Sequence, residues 1–111
     1  MDPFEVILQR SIMTYKEFHE DQDPPKNEQT ENFLEDVKKV PLKYLSDIIF
    51  REDCCHLLYI NGDKKLHVYC DYGYDDIIVI SNTKSGYEGE DVIFDDNFIS
   101  NITNIIEKYL G

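Results

Sequence analysis

The side chains best suited to chemistry are three cysteines and two histidines within residues 54–70. Cys54, Cys55, His56, His67 and Cys70 offer the thiolate and imidazole ligands that zinc prefers. The same groups are those of a cysteine nucleophile activated by a histidine base. Either chemistry requires that thiols and imidazoles lie on one face of the element that carries them.

A β-hairpin is the element predicted for this segment. In "CCHLLYINGDKKLHVYC" an Asn-Gly pair separates two apolar runs, which is a strong hairpin signal. With a loop of two or four residues, the face expected to join the core carries Cys55, Leu57, Tyr59, Leu66, Val68 and Cys70. The opposite face carries His56, Leu58, Ile60, Lys65, His67 and Tyr69. If the core lies on the first face, the second is apolar enough to need a partner.

Strand parity therefore argues against both chemistries. One tetrahedral ion cannot collect Cys55 and Cys70 together with His56 and His67, because the two pairs point to opposite faces. A site built on Cys54 and the histidines lacks a fourth ligand. The sequence predicts no metal and no cofactor, and it favours buried cysteines that act as small hydrophobic side chains.

Other catalytic and metal-binding patterns are also weak. "DYGYDD" and "EGED" do not follow the alternating ligand positions of a calcium-binding EF-hand loop. The many carboxylates make chance pairs, but 111 residues leave little room for a sugar cleft, and no glycine-rich loop would hold a phosphate. We predict that the protein is not an enzyme.

The charge is strongly negative and unevenly distributed. The chain has 23 acidic and 11 basic residues, a formal net charge of −12. Residues 1–65 carry 14 acids and 9 bases, whereas residues 66–111 carry 9 acids and 2 bases. Such a field repels nucleic acid and anionic lipid and attracts cationic proteins. The predicted partner is a basic protein, with no direct binding to nucleic acid or membrane.

Periodicity predicts one α+β domain over residues 1–111. Asp2 and Pro3 are a helix start, and apolar spacing predicts helices over 3–20, 31–39 (with Thr30 as its cap) and 41–50. Pro41 either starts the third helix or kinks one longer helix. Strands are predicted over 54–60, 65–71, 76–81 and 91–95, with a loop over 81–90 between the last two, and a final helix over 96–110 is capped by Asp95 or Asp96. The architecture is N-terminal helices, an antiparallel meander of about four strands, and a C-terminal helix packed on the sheet.

The cellular setting follows from the cysteines and the N-terminus. Three cysteines, two of them adjacent, do not form the even framework typical of secreted disulfide proteins. Asp2 and Glu5 stand where a signal peptide would be basic, and no apolar run approaches membrane-spanning length. We expect a soluble protein in a reducing cytoplasm.

The predicted protein-binding surface combines tyrosine with carboxylates. Tyrosine gives a large, rigid contact area, and carboxylates pair with arginine and lysine. The residues assigned to this surface are Tyr69, Asp71, Tyr72, Tyr74, Asp75, Asp76, Tyr87, Glu88, Glu90 and Asp91. The simpler alternative is that some of these tyrosines are core and the acids are solvated edges.

In size, acidity and single-domain organisation the chain resembles the immunity proteins that neutralise bacterial nuclease toxins. The resemblance lies in composition and rests on no motif. It implies a non-enzymatic inhibitor that covers the active site or the nucleic-acid groove of a cationic toxin. The alternative is a viral or phage antagonist that mimics nucleic acid and occupies a host nucleic-acid-binding protein. The sequence leaves open the partner's identity, the oligomeric state, and any role of the three cysteines beyond packing.

Overall fold

The structure is a computed structural model that describes residues 2–71, 76–83, 86–93 and 95–111. Within 76–83 and 86–93 it describes the backbone, together with an exposed Gly89 and a buried Val92. Two helices come first, α1 (Pro3–Phe18) and α2 (Glu28–Val37). Five strands follow: β1 (Leu45–Phe50), β2 (Cys54–Asn61), β3 (Lys64–Asp71), β4 (Asp76–Thr83) and β5 (Gly86–Ile93). Helix α3 (Phe98–Leu110) comes last. The predicted α+β order of helices, antiparallel sheet and C-terminal helix is confirmed.

The strands form one antiparallel sheet in the order β1-β2-β3-β4-β5, so neighbours in sequence are neighbours in the sheet. The predicted count of about four strands is wrong. Three strands, β1–β3, are described with their side chains, and β4 and β5 are described through their backbone pairing. The β2–β3 turn has two residues, and Gly62 takes φ +65°, the positive φ that such tight turns need.

The helix predicted over 41–50 is wrong, because Leu45–Phe50 is strand β1. β1 pairs with β2 through Ile48↔Leu57 and Phe50↔Cys55, and the register shifts between Leu45 and Asp47. That irregularity turns Leu45 and Ile48 to the same side, and both are buried. Buried residues three apart are the signature of a helix, which is why the strand was misread.

Two other predictions about helix starts need correction. The N-cap of α2 is Asn27 instead of Thr30: the Asn27 side-chain oxygen accepts from the Thr30 backbone N–H at 2.8 Å and from the Thr30 hydroxyl at 2.9 Å. The cap position of α3 is Asn97, while the Asp95 carboxylate accepts from the Asn97 N–H at 2.9 Å. The predicted cap of α1 is confirmed, with Asp2 accepting from the Glu5 N–H at 2.9 Å.

The core lies between the three helices and one face of the sheet. The predicted core face of the hairpin is confirmed, since each of its six residues is fully buried: Cys55, Leu57, Tyr59, Leu66, Val68 and Cys70. The helices cover it with Phe4 of α1, with Phe33 and Val37 of α2, and with Phe98, Ile102, Ile106 and Leu110 of α3. The Phe33 and Phe98 rings stack 5.9 Å apart and join α2 to α3.

One core group is polar and lacks a partner among the described residues. Tyr59 is fully buried, and its hydroxyl has no hydrogen bond there. Burial also raises the pKa of this phenol, so it stays protonated. A hydroxyl buried without a partner loses its bonds to water and destabilises the fold.

Replacing Tyr59 by phenylalanine should therefore stabilise the protein. We expect Tyr59→Phe to raise the free energy of unfolding in urea by about 0.5–1 kcal/mol, since it removes a desolvated hydroxyl and leaves the ring packing intact. Tyr44→Phe is the matched control, because Tyr44 is only half-buried. A loss of about 1 kcal/mol or more for Tyr59→Phe would mean that the hydroxyl has a partner.

Candidate functional site

The structure separates Cys55 and Cys70 from His56 and His67 as strand parity predicts, whereas Cys54 has the parity of the histidines. Cys55 and Cys70 are backbone partners on the buried face of the β2–β3 hairpin. Burial raises the pKa of both thiols, to about 11 for Cys70. Cys54 is also buried, and burial, followed by the nearby Asp53 and Asp71 carboxylates, raises its pKa. These thiols stay protonated at neutral pH, and the thiolate is the form that attacks or ligates.

The two histidines meet on the opposite face of the sheet. His56 Nε2 lies 2.7 Å from His67 Nδ1, so one nitrogen carries the proton and the other accepts it. The Tyr69 ring stacks on the His56 ring at 4.2 Å. This packing leaves His56 only 6% exposed, although α1, α2 and α3 contribute to the core on the other side. We call His56, His67 and Tyr69 the outer-face cluster.

Burial controls the protonation of this cluster. It lowers the pKa of His56 to about 4, helped by His67 and Arg51 and opposed by Asp47. Burial, together with Lys65, also lowers the pKa of His67. Both imidazoles are therefore neutral at pH 7. A base with so low a pKa is poorly matched to proton transfer at neutral pH.

The cluster offers few ligands for a metal. Its two facing nitrogens are already hydrogen-bonded to each other. Among the residues that the structure describes, no three His, Cys, Asp or Glu side chains are grouped so that they could hold an ion. A structural zinc site normally needs four such ligands.

Of the ten residues predicted to bind a partner, the side chains of two are described. Tyr69 belongs to the outer-face cluster and is half-buried. Asp71 ends β3, is half-buried, and its backbone carbonyl accepts from the Gln29 amide at 3.2 Å, which ties β3 to α2. Both residues lie among the last three residues of β3, directly before Tyr72 in the sequence.

Three of the ten, Tyr72, Tyr74 and Asp75, lie outside the described residues. The other five are placed through their backbone: Asp76 begins β4, and Tyr87, Glu88, Glu90 and Asp91 belong to β5. The predicted loop over 81–90 is therefore wrong, because β4 continues to Thr83 and β5 begins at Gly86. The segment was predicted to be a loop because it is polar. An edge strand pairs with a neighbour on one side only, and charged residues are common on such strands.

Strand β5 is an edge strand of the sheet and contains three acidic residues in its sequence. It is the last strand in the order, and Glu88, Glu90 and Asp91 fall on it within four residues. Their backbone partners in β4 are uncharged: Ser81 for Glu88, Val79 for Glu90 and Ile78 for Asp91. The backbone thus places three acids on one terminal strand, with no basic residue as a direct cross-strand partner.

The sequence did not reveal a groove between α1 and β1. It is lined by residues of both elements, including Tyr15, Phe18, Asp47 and Phe50, and its volume is about 360 Å³. One wall of the groove is strand β1, which falls within the residues 41–50 that were predicted to be a helix. The one available signal was Phe18, a large apolar residue in the polar stretch "YKEFHEDQD".

The described part of the chain contains no helix that is both long and apolar enough to cross a membrane.

The outer-face cluster makes stability depend on pH. The unfolded histidines have pKa values near 6.5, and the folded values are lower, so the folded state binds fewer protons below pH 6.5. The stability that neutral His56 confers is complete above pH 6.5 and is lost as the pH falls toward 4. We expect a loss on the order of 2 to 3 kcal/mol from His56 over this window.

Urea denaturation of wild type and His56→Gln between pH 7.5 and pH 4 measures this contribution. The wild type should lose more stability than the variant below pH 6.5, because glutamine does not titrate. His19→Gln is the control, because it removes a histidine that is not part of the outer-face cluster: His19 lies at the end of α1 and stacks on Tyr15. Parallel curves for wild type and His56→Gln would contradict the burial of a neutral imidazole.

Comparison with known proteins identifies no relative. No family model, no curated protein and no solved structure matches the chain. Its function has to be inferred from the charges and contacts of its own residues.

Proposed function

We propose that this chain is a non-enzymatic acidic inhibitor that binds and neutralises a basic protein. The observation that carries the proposal is the charge of −12, with 9 acids against 2 bases in residues 66–111. Within this class, the best fit is an immunity protein against a bacterial nuclease toxin. A nuclease must bind phosphates and therefore has a cationic surface that a negative protein can cover.

The distribution of ion pairs supports this proposal. The five ion pairs of the described residues all lie between Arg10 and Glu52. In the second half of the chain, four described carboxylates make no ion pair with a described cation: Asp71, Asp95, Asp96 and Glu107. Negative charge that is not neutralised within the fold remains available to attract a cationic partner.

Tyrosines would add affinity to this attraction. Tyr69 stands at the start of the acidic stretch, and Tyr72, Tyr74 and Tyr87 follow it in the sequence. Buried tyrosines are frequent hot spots in interfaces, because they combine a large rigid area with a hydroxyl that forms hydrogen bonds. Charge would give fast capture, and the aromatic anchors would give slow release.

The chemistry of the described residues fits a binding protein better than an enzyme. Its cysteines are protonated and buried, and its paired histidines are neutral and hydrogen-bonded to each other. The free thiols also fit a reducing cytoplasm, where disulfides rarely form.

A nucleic-acid mimic of viral or phage origin is the second candidate. Glu88, Glu90 and Asp91 fall within four residues of the edge strand β5, and this favours it because a mimic needs a high local density of negative charge. The two candidates differ in the protein they bind: a toxin nuclease in the first, a host nucleic-acid-binding protein in the second.

Affinity capture from cells of the native host, at low and moderate salt, tests the proposal. The immobilised chain should retain one basic protein, and retention should fall with salt. Replacing Asp75→Lys together with Asp76→Lys should reduce retention at least about tenfold, since it reverses charge on the proposed surface. Identification of the retained protein by mass spectrometry separates the two candidates.

The matched control is Glu35→Lys together with Asp63→Lys, which changes the net charge equally but lies in the less acidic half. Both residues are exposed, and thermal unfolding checks that each variant is folded. Equal losses of retention for the two double variants would mean that the interaction is a non-specific electrostatic attraction. Capture of no basic protein would overturn the proposal.

A further inference from the structure

The groove between α1 and β1, here called the α1–β1 groove, has the dimensions of a ligand site. Its main cavity of about 360 Å³ continues toward the turn after β1 as a second hollow of about 340 Å³. The two share three lining residues: His19, Phe50 and Arg51. Volumes of 300–1,000 Å³ are typical of binding pockets.

The walls of the groove are fixed by polar contacts between α1 and β1. The Ser11 hydroxyl of α1 donates to the Asp47 carboxylate of β1 at 3.1 Å, and within β1 the Ile48 backbone N–H donates to the same carboxylate at 2.9 Å and holds it in place. The Arg10 guanidinium donates to the Ser46 carbonyl at 2.8 Å. Because these bonds tie the helix to the edge strand, the groove is formed before any ligand arrives, which lowers the cost of binding.

Aromatic side chains line the rim. The Tyr15 and His19 rings stack 3.8 Å apart with an angle of 3° between their planes, and His19 Nδ1 donates to the Tyr15 carbonyl at 2.9 Å. Phe18 is 80% exposed, the largest exposure among the big apolar side chains described. Exposed aromatic surface beside a preformed groove is typical of contact sites for another chain.

The surroundings of the groove are acidic. The two segments that supply most of the lining, 15–23 and 47–53, carry seven carboxylates against two cationic side chains in sequence, and three of the seven, Asp47, Glu52 and Asp53, line the groove. Glu52 and Asp53 line the outer hollow and are exposed, with Glu52 3.8 Å from His19 Nε2. A cation that enters this hollow meets the Glu52 and Asp53 carboxylates and the Phe50 ring, with Arg51 as the one cationic group of the lining. Carboxylates and aromatic faces are the groups that bind guanidinium best.

We propose that the α1–β1 groove binds an extended segment of a basic protein in which arginine alternates with apolar residues. An apolar side chain of that segment packs against Phe18 and Phe50, and a neighbouring arginine pairs with Glu52 or Asp53. The surface is separate from the acidic strands on which the proposed function rests. It requires only that the ligand be cationic and partly apolar.

Amide chemical shifts of the ¹⁵N-labelled full-length protein test the groove directly. The probe is a capped pentapeptide of alternating arginine and leucine, and the comparison peptide has glutamate in place of arginine. The cationic peptide should shift the amides of residues 15–19 and 49–53, and the acidic peptide should shift none. Shifts confined to residues 66–111, or no shifts with the cationic peptide, would overturn the proposal.

Two substitutions give the measurement a matched control. Phe18→Ser should weaken binding of the cationic peptide about tenfold, since burial of a phenylalanine ring is lost. Met13→Ser removes another exposed apolar side chain of α1, 63% exposed, and should leave the affinity unchanged. Both positions lie outside the core, so the fold is preserved, which circular dichroism verifies. Equal affinities for wild type and Phe18→Ser would also overturn the proposal.

Charge reversal separates this groove from the proposed function. Glu52→Lys with Asp53→Lys should weaken binding of the cationic peptide about tenfold, whereas Asp75→Lys with Asp76→Lys should not change the peptide's affinity. Failure of the peptide to bind would leave capture of a basic protein by the acidic strands standing. Conversely, a failed capture would not affect peptide binding in the groove.

Discussion

The rest of the structure depends on the alternation of side chains along the β2–β3 hairpin. Three cross-strand pairs, Cys55↔Cys70, Leu57↔Val68 and Tyr59↔Leu66, present fully buried side chains to the helices. The two-residue turn fixes this register, and a shift by one residue would turn the imidazoles to the core and the aliphatic side chains outward. All three helices contribute side chains to the core cluster that contains these pairs.

The same alternation determines what chemistry the chain can perform. It places the thiols where burial keeps them protonated and the imidazoles where burial keeps them neutral. Cys55 and Cys70 are thereby divided from His56 and His67, which lie on the other face. The chain also has a surplus of negative charge: Glu88, Glu90 and Asp91 belong to the edge strand β5, and Glu52 and Asp53 are exposed beside the α1–β1 groove. The proposed function and the proposed groove both use this surplus, at different ends of the molecule.

Sequence patterns predicted the parts of the fold in which local signals and tertiary packing agree. The cap of α1, the hairpin and its buried face follow from Asp2, the Asn-Gly turn and strict alternation. Prediction failed where tertiary structure imposes its own spacing. The irregularity in β1 imitates a helical period, and the pairing of β5 with β4 overrides a polar, glycine-containing sequence. The α1–β1 groove was missed for the same reason, since it exists only once β1 is a strand. The pairing of His56 with His67 was predictable as a shared face, but the contact at 2.7 Å was not.

The central claim is that negative charge on this chain draws in a basic partner. Its most direct test is the association rate constant with the captured protein, measured by stopped flow at low and high sodium chloride. Steered association at low salt is faster than at a few tenths molar salt by about tenfold or more, because screening shortens the range of the field to below about 10 Å. The account predicts that the association rate constant decreases with salt, and that this decrease accounts for most of the accompanying loss of affinity. An association rate constant that does not change with salt would contradict it.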